Sequence, residues 1–318
     1  MSLQQPSIVV LTWMKSDAWT LRRFLEVSSV FADHIVVADE GAADDSRAIC
    51  AEFDKVTVVD HKGGEYDEGA RQQLLLRTAR ELVPMPRILL ALDVDEILAA
   101  NAMSTRGWQA MMRAERGTIL FFEKPRLYLS TASCMRRELD FAGGFVDDGV
   151  AGLQPQRIHS PRLPRPAGAP HLTLGDIKFL HYALVRPEAQ KAKARMYAAL
   201  ENVMGTMTLW QRRKRYWSRN VLRPAAAVEP TPQEWFEAWE RRGIDMSTIR
   251  DVQPYWQDVD TLELLLLHGS RRFWLDDVWQ KDWNRFIVQL GRLARVEPPP
   301  LALRLAVDTA QRLVAWAR

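Results

Sequence analysis

The first hundred residues alternate two hydrophobic rhythms. Apolar runs of strand length lie at 8–12, 34–39, 55–60 and around Leu89. They are apolar almost throughout, as strands buried on both faces are. Between them, residues 17–30 and 68–82 space their apolar side chains at helical intervals. Asp44 or Asp45 can cap a shorter helix running through Ile49 and Phe53. Strand and helix in regular alternation predict an α/β fold with a mostly parallel, doubly wound sheet.

The pattern loosens after residue 100. Residues 118–122, 126–129 and 177–182 have strand character, and 187–204 has helical spacing. Gly143-Gly144 and Asp147-Asp148-Gly149 read as turns, and 155–170, rich in proline and arginine, as an irregular loop. Thr231-Pro232-Gln233-Glu234 has the form of a helix start, with a Thr cap, Pro at the first position and a capping-box Glu. Seven of the 12 tryptophans follow residue 225. In a last helix after Pro298-Pro299-Pro300, Leu303, Val307, Ala310 and Val314 share one face, which suits packing on the domain or resting on a membrane. The expected division is a sheet domain at 1–225, in two halves meeting near residue 100, and a helical, tryptophan-rich extension at 226–318.

Composition narrows the class. The chain has 318 residues, 47% hydrophobic and 26% charged, enough for a sizeable core. No apolar run approaches the ~20 residues that cross a bilayer, and the first residues lack the pattern of a signal peptide. The two cysteines, Cys50 and Cys134, sit in no metal or redox spacing, so a reducing cytoplasm is the expected location. The net charge of +3 is uneven: between Arg157 and Arg223 there are 14 basic residues and three acidic ones. Such an excess calls for an anionic partner, either a phosphate-bearing substrate or an anionic membrane surface. No helix-turn-helix, zinc or ribonucleoprotein signature supports nucleic acid.

The chemistry concentrates at strand ends. Asp39-Glu40, Asp60 and Asp93-Val94-Asp95-Glu96 follow the second, third and fourth predicted strands. Parallel strands open all three turns onto one edge of the sheet, where open α/β folds bind ligands. Alternation puts Asp93 and Asp95 on one face, two hard oxygen ligands that suit Mg²⁺ or Mn²⁺ and hence a phosphate. A solvated acidic turn is the competing reading. No G-x-G-x-x-G follows the first strand, and neither a Walker A sequence nor a G-x-S-x-G elbow occurs.

The order of these pieces resembles a GT-A glycosyltransferase, specifically the inverting family 2 group. The run from Ile35 to Ser46 is similar to that family's segment after the second strand. Gly69-Ala70-Arg71-Gln72-Gln73 is similar to its helix start, and the run from Leu89 to Glu96 to its metal motif. Gln156-Arg157-Ile158-His159 and the run from Ile177 to Tyr182 resemble downstream pieces of lipopolysaccharide-core and related enzymes. The resemblance spans residues 7–200. It implies a GT-A type fold and metal-dependent, inverting transfer of a hexosyl group. The donor would be a nucleotide-diphospho-sugar, the acceptor a glycan or glycolipid hydroxyl, and the setting bacterial cell-surface polysaccharide synthesis. The implied cofactor is Mn²⁺ or Mg²⁺. The implied location is the cytoplasm, with peripheral contact at the inner face of an anionic membrane.

By position, Thr12 would meet the base, Asp39 the nucleoside and Arg71 the donor site. Asp93 would serve donor and metal, Asp95 would be the more direct metal ligand, and His181 a third ligand. Ala42-Ala43 replace the family's Ser-Thr, Gln72 its Asn, and Lys15-Ser16-Asp17 its Asn-Glu. Inversion needs a carboxylate to deprotonate the acceptor. Glu138, Asp140, Asp147 and Asp148 are the available acids after residue 100, and Asp148, then Asp147, are favoured by their glycine-flanked turn. Two other readings stand beside this one. One is a phosphatase of the Asp-x-Asp type, in which the motif belongs to the first strand rather than the fourth. The other is a non-catalytic GT-A-like scaffold of a glycan assembly complex.

Overall fold

The computed structural model describes residues 5–63, 66–136, 140–217, 223–224, 226–280 and 296–316. The chain divides into two compact units that interleave in sequence. One comprises Met1–Val185 with Pro224–Asp251, the other Arg186–Arg223 with Val252–Arg318. The sequence reading placed a single boundary near residue 225.

The first unit is built on one sheet. Its opening strands are β1 (Ser7–Met14), β2 (His34–Asp39), β3 (Val56–Asp60) and β4 (Arg87–Ala91). They pair in parallel, in the order β3-β2-β1-β4. Two helices connect β1 to β3, α1 (Ala18–Phe31) and α2 (Ser46–Cys50), and α3 (Glu68–Leu82) leads into β4. The alternation of β1 explains the layering. Ile8, Val10 and Met14 bury into one core with Leu21, Phe24 and Leu25 of α1 and Ile49 of α2. Val9 and Leu11 bury into a second core with Leu75, Leu76 and Ala79 of α3. The sheet is therefore covered on both faces, as its continuous apolar strands require.

The rest of the sheet is mixed. β5 (Glu96–Leu98), α4 (Arg106–Met111), β6 (Ile119–Glu123), β7 (Arg126–Tyr128), β8 (Ser133–Met135), β9 (Phe141–Val146) and β10 (His171–Leu184) follow. β9 runs antiparallel between β4 and β6. Gly143-Gly144 is therefore strand and not turn. A Cβ on Gly144 would stand 2.9 Å from Leu120 Cδ1 and 3.1 Å from Leu90 Cδ2, so glycine is there for close approach and not for bending the chain. β10 pairs with β6 through its first half, and with β5 and β7 through its second.

The second unit holds α5 (Pro187–Met204) and α6 (Leu209–Arg215). The chain then returns to the first unit through β11 (Val228–Pro230), which pairs with β8, and α7 (Glu237–Glu240). Thr231 does not cap a helix: a 3₁₀ turn at Gln233–Trp235 takes the place of the expected start, and Pro232 precedes it without a side-chain cap. α8 (Trp256–His268) and α9 (Leu301–Trp316) complete the second unit. No helix among the described residues is long and apolar enough to cross a membrane.

Part of the basic segment pairs with acids of the same chain. Arg195 pairs with Asp258, Arg212 with Asp276, and Arg213 with Asp308 and Gln311 in the second unit. In the first, Arg162 pairs with Asp93 and Glu96, and Lys178 with Glu123.

Candidate active site

The strand order reverses between β1 and β4. In an open α/β sheet this switch point opens a crevice beyond the strand C-termini. Trp13 near the end of β1 and the acidic turn after β4 flank it. The Trp13 indole Nε1 donates to Asp93 Oδ1 at 3.0 Å.

The turn is closed by its own backbone. Glu96 N–H donates to the Asp93 carbonyl at 2.8 Å, and Asp93 N–H donates to Glu96 Oε2 at 2.9 Å. Glu96 is the hub. It is fully buried and receives Arg162 Nη1 at 2.6 Å and Lys124 Nζ at 2.8 Å. Burial drives its carboxyl upward, but Arg162, Lys124 and His181 outweigh it and hold the group at about 2. Arg162 also bonds Asp93 Oδ2, so one guanidinium bridges two carboxylates. Burial works against the Arg162 charge, but Asp93 and Glu96 raise its pKa all the same.

The sheet delivers His181 to this turn. β5 pairs with β10 so that Glu96 lies opposite His181, and Tyr182 N–H donates to the Asp95 carbonyl at 2.8 Å. His181 Nε2 stands 3.5 Å from Asp95 Oδ2, and its Nδ1 is buried with no hydrogen-bond partner among the described residues. A 3.5 Å gap exceeds the ~2.7–3.2 Å of a hydrogen bond. Adjacent ligands of an octahedral ion with bonds of ~2.1 Å stand ~3 Å apart, closer than this pair. Three carboxylates face two fixed cations here, leaving one negative charge that a cation would offset. Asp95 and His181, both expected as metal ligands, are brought face to face here. Asp93, expected beside them, is turned to Trp13 and Arg162. Among the described residues, no three His, Cys, Asp or Glu side chains converge as a metal site.

The neighbouring turn is structural at its base. Asp39 Oδ1 accepts from the backbone N–H groups of Gly41 and Ala42, both at 2.8 Å, while Oδ2 accepts from Arg47 Nη1 at 2.5 Å and faces Lys62 Nζ at 3.5 Å. Burial acts upward on Asp39, but these donors lower its pKa. Its acceptor sites are filled from within the chain, so Asp39 holds the turn, and the nucleoside contact expected of it would require Arg47 or Lys62 to move. The backbone N–H groups do this work, so no side-chain hydroxyl is needed at Ala42 or Ala43. Arg71 is buried, bonds Glu40 Oε1 at 2.7 Å and lies 4.1 Å from the centre of the Trp13 ring. Thr12 Oγ1 is buried in β1 with no hydrogen-bond partner among the described residues. Gly69, at the start of α3, lets the helix meet the loop that carries Arg162: a Cβ there would stand 2.7 Å from Pro155 Cβ.

Asp147 and Asp148 lie elsewhere. Because β9 is antiparallel to β4, its end returns to the start of β4: Val146 is level with Ile88, and Asp147 N–H donates to the Arg87 carbonyl. At ~3.3 Å per residue, β4 separates them from the acidic turn by about 15–20 Å. Asp147 is fully buried, paired with Arg80 at 2.7 Å and Arg87 at 2.6 Å, and Asp148 Oδ1 accepts from the N–H groups of Val150 and Ala151. Neither can serve as base for a reaction at the acidic turn. The same reversal brings the start of β9 to the acidic edge. The Phe141 ring lies 4.1 Å from Lys124 Nζ and 5.7 Å from Arg162 Cζ, and the exposed Asp140 immediately precedes it. Glu138 lies outside the described residues.

Sequence reasoning assigned no role to Glu96, Arg162, Lys124 or Trp13. Glu96 was visible as the third acid of the turn. Arg162 was visible only as one of many basic residues.

No family model and no curated protein matches the chain. Among solved structures it is similar to glucosyl-3-phosphoglycerate synthase from Mycobacterium tuberculosis in complex with Mn²⁺, UDP and glucosyl-3-phosphoglycerate. That likeness has 16% identity over 38% of this chain and 44% of that one, with a TM-score of 0.28. It is also similar to 4-diphosphocytidyl-2C-methyl-D-erythritol synthase, with 18% identity over 37% of this chain and 60% of that one and a TM-score of 0.30. The chain spans less than two thirds of either protein. Likenesses this faint carry neither fold nor activity across.

Proposed function

We propose that the protein is an inverting glycosyltransferase of the GT-A type. It would move a sugar from a nucleotide-diphospho-sugar to a hydroxyl of a glycan or glycolipid, in cell-surface polysaccharide synthesis. The observation that carries this reading is the placement of the Asp93–Glu96 turn at the switch point between β1 and β4, with His181 brought to Asp95. The family resemblance in the sequence points to the same turn.

Asp95 and His181 would hold the divalent ion, which supplies neutralising charge to the diphosphate as it leaves. Arg162 and Lys124 add fixed positive charge at the same turn. In transfer, the acceptor oxygen bonds the anomeric carbon as the bond to the diphosphate breaks. The electron pair departs with the nucleoside diphosphate, and a carboxylate takes the acceptor's proton. Asp140 replaces Asp148 and Asp147 as our candidate for that base, because it stands at the acidic edge of β9.

The test is release of nucleoside diphosphate from a panel of sugar nucleotides with Mn²⁺. Wild-type protein is expected to release it from at least one donor, and Asp95→Ala to fall at least 100-fold. Turnover of p-nitrophenyl phosphate with no action on any sugar nucleotide would favour the phosphatase reading instead.

A further inference from the structure

A surface helix ordinarily turns one apolar stripe inward and polar side chains outward. In the second unit, α9 departs from this. Its inner side is held by Arg213 of α6, which donates to Gln311 Oε1 at 2.5 Å and to Asp308 Oδ1 at 2.8 Å. Leu303, Val307 and Ala310 are half-buried. The remaining arc is exposed, and it carries Leu301, Ala302, Leu305 and Ala306 with Thr309 and Arg312. Leu301 and Leu305 are 60% and 56% exposed. The neighbouring elements of the unit add to this: α8 exposes Leu266 and Leu267, and α6 exposes Trp210. Among the described residues, eight of the 12 exposed large apolar side chains lie in the second unit, which is about a third of the chain. Exposed apolar side chains gathered in this way mark a surface that something covers.

Charge identifies the cover. The second unit has 19 Lys and Arg against 10 Asp and Glu, a net of +9, while the first has 24 against 30, a net of −6. Ion pairs such as Arg195–Asp258 are neutral as pairs, so the excess stands whichever cations they use. Exposed cations share helices with the exposed apolar residues. Lys214 and Arg215 follow Trp210 in α6, and Arg312 falls between Leu301 and Leu305 in the helical projection of α9. A second copy would bring its own +9 to such a face and be repelled. An anionic bilayer receives both the apolar side chains and the cations. We propose that the second unit docks on an anionic lipid surface. α9 lies in the plane of the interface, with Leu301 and Leu305 entering the acyl boundary and Arg312 meeting the headgroups. The proposal is independent of the transferase reading.

The test is flotation of the full-length protein with two kinds of vesicle, phosphatidylcholine alone and phosphatidylcholine with about one part in four of phosphatidylglycerol. The wild type is expected to bind the mixed vesicles at least about tenfold more tightly than the neutral ones, and to lose that preference in about 1 M salt, where screening is nearly complete. Leu301→Gln combined with Leu305→Gln should weaken binding about tenfold. Leu82→Gln combined with Val150→Gln, exposed apolar positions of the first unit, should change it less than about twofold. The inference is overturned if the wild type binds neither vesicle, if it binds both alike, or if the folded Leu301→Gln, Leu305→Gln protein binds as the wild type does. Sedimentation of the same two proteins checks the competing occupant: a wild-type dimer that this double variant dissolves would assign the face to a second copy and overturn the inference. The comparison of vesicles needs no substitution, so it decides the matter even if the double variant does not fold.

Discussion

At the scale of single residues, the acidic turn and the distant Asp147 show how similar carboxylates acquire different roles. Glu96 is buried among cations and held at about 2, below the ordinary 4.5. A depressed folded-state pKa stabilises the protein fully above the unfolded value, and the benefit is lost as pH falls from about 4.5 to about 2. The shift corresponds to about 3 kcal/mol. Acid titration of the wild type is expected to show this loss in that window, and Glu96→Gln to flatten it. Asp147, paired with Arg80 and Arg87, is a brace between β9, β4 and α3. Asp147→Asn should leave Arg87 buried with a weakened partner and cost about 3 kcal/mol in denaturant unfolding. Nucleotide binding by the folded fraction should be unchanged; a selective loss of transfer at wild-type stability would restore Asp147 as a base. The acids themselves were legible in the sequence, since three of them follow an apolar run. Their partners were not: Arg162 is 69 residues from Asp93 and 66 from Glu96, and no local pattern links them.

Among the elements, the readable ones were those whose burial imposes a period. β1 to β4 are continuous apolar runs because helices cover both faces of the sheet, and α3 and α5 were visible from helical spacing. The reading failed at β9 because Gly143-Gly144 has the local chemistry of a turn, whereas packing against Leu90 and Leu120 is what requires glycine. Asp148 and Asp147, favoured in the sequence for their glycine-flanked turn, follow the end of β9 beside the start of β4. Gly144→Ala brings a Cβ into Leu120 and Leu90. It should destabilise the protein by about 1–3 kcal/mol, as overpacking does. An unchanged midpoint in urea would show that β9 does not pack as described.

At the scale of the whole molecule, charge is the lesson. The sequence shows a strongly basic segment and invites a search for an external anion, but much of that charge faces acids of the same chain. Arg195, Arg212 and Arg213 meet Asp258, Asp276 and Asp308. What remains distinctive is the edge of the first unit. There, three carboxylates, two fixed cations and one histidine gather at the switch point of the sheet. The most direct test of that site is calorimetric titration of UDP and GDP into the protein, in EDTA and in Mn²⁺. The account predicts that at least one of the two binds, that Mn²⁺ tightens it at least tenfold, and that Asp95→Asn removes the tightening. Binding that is indifferent to both Mn²⁺ and Asp95, or no binding of either nucleotide, would contradict it.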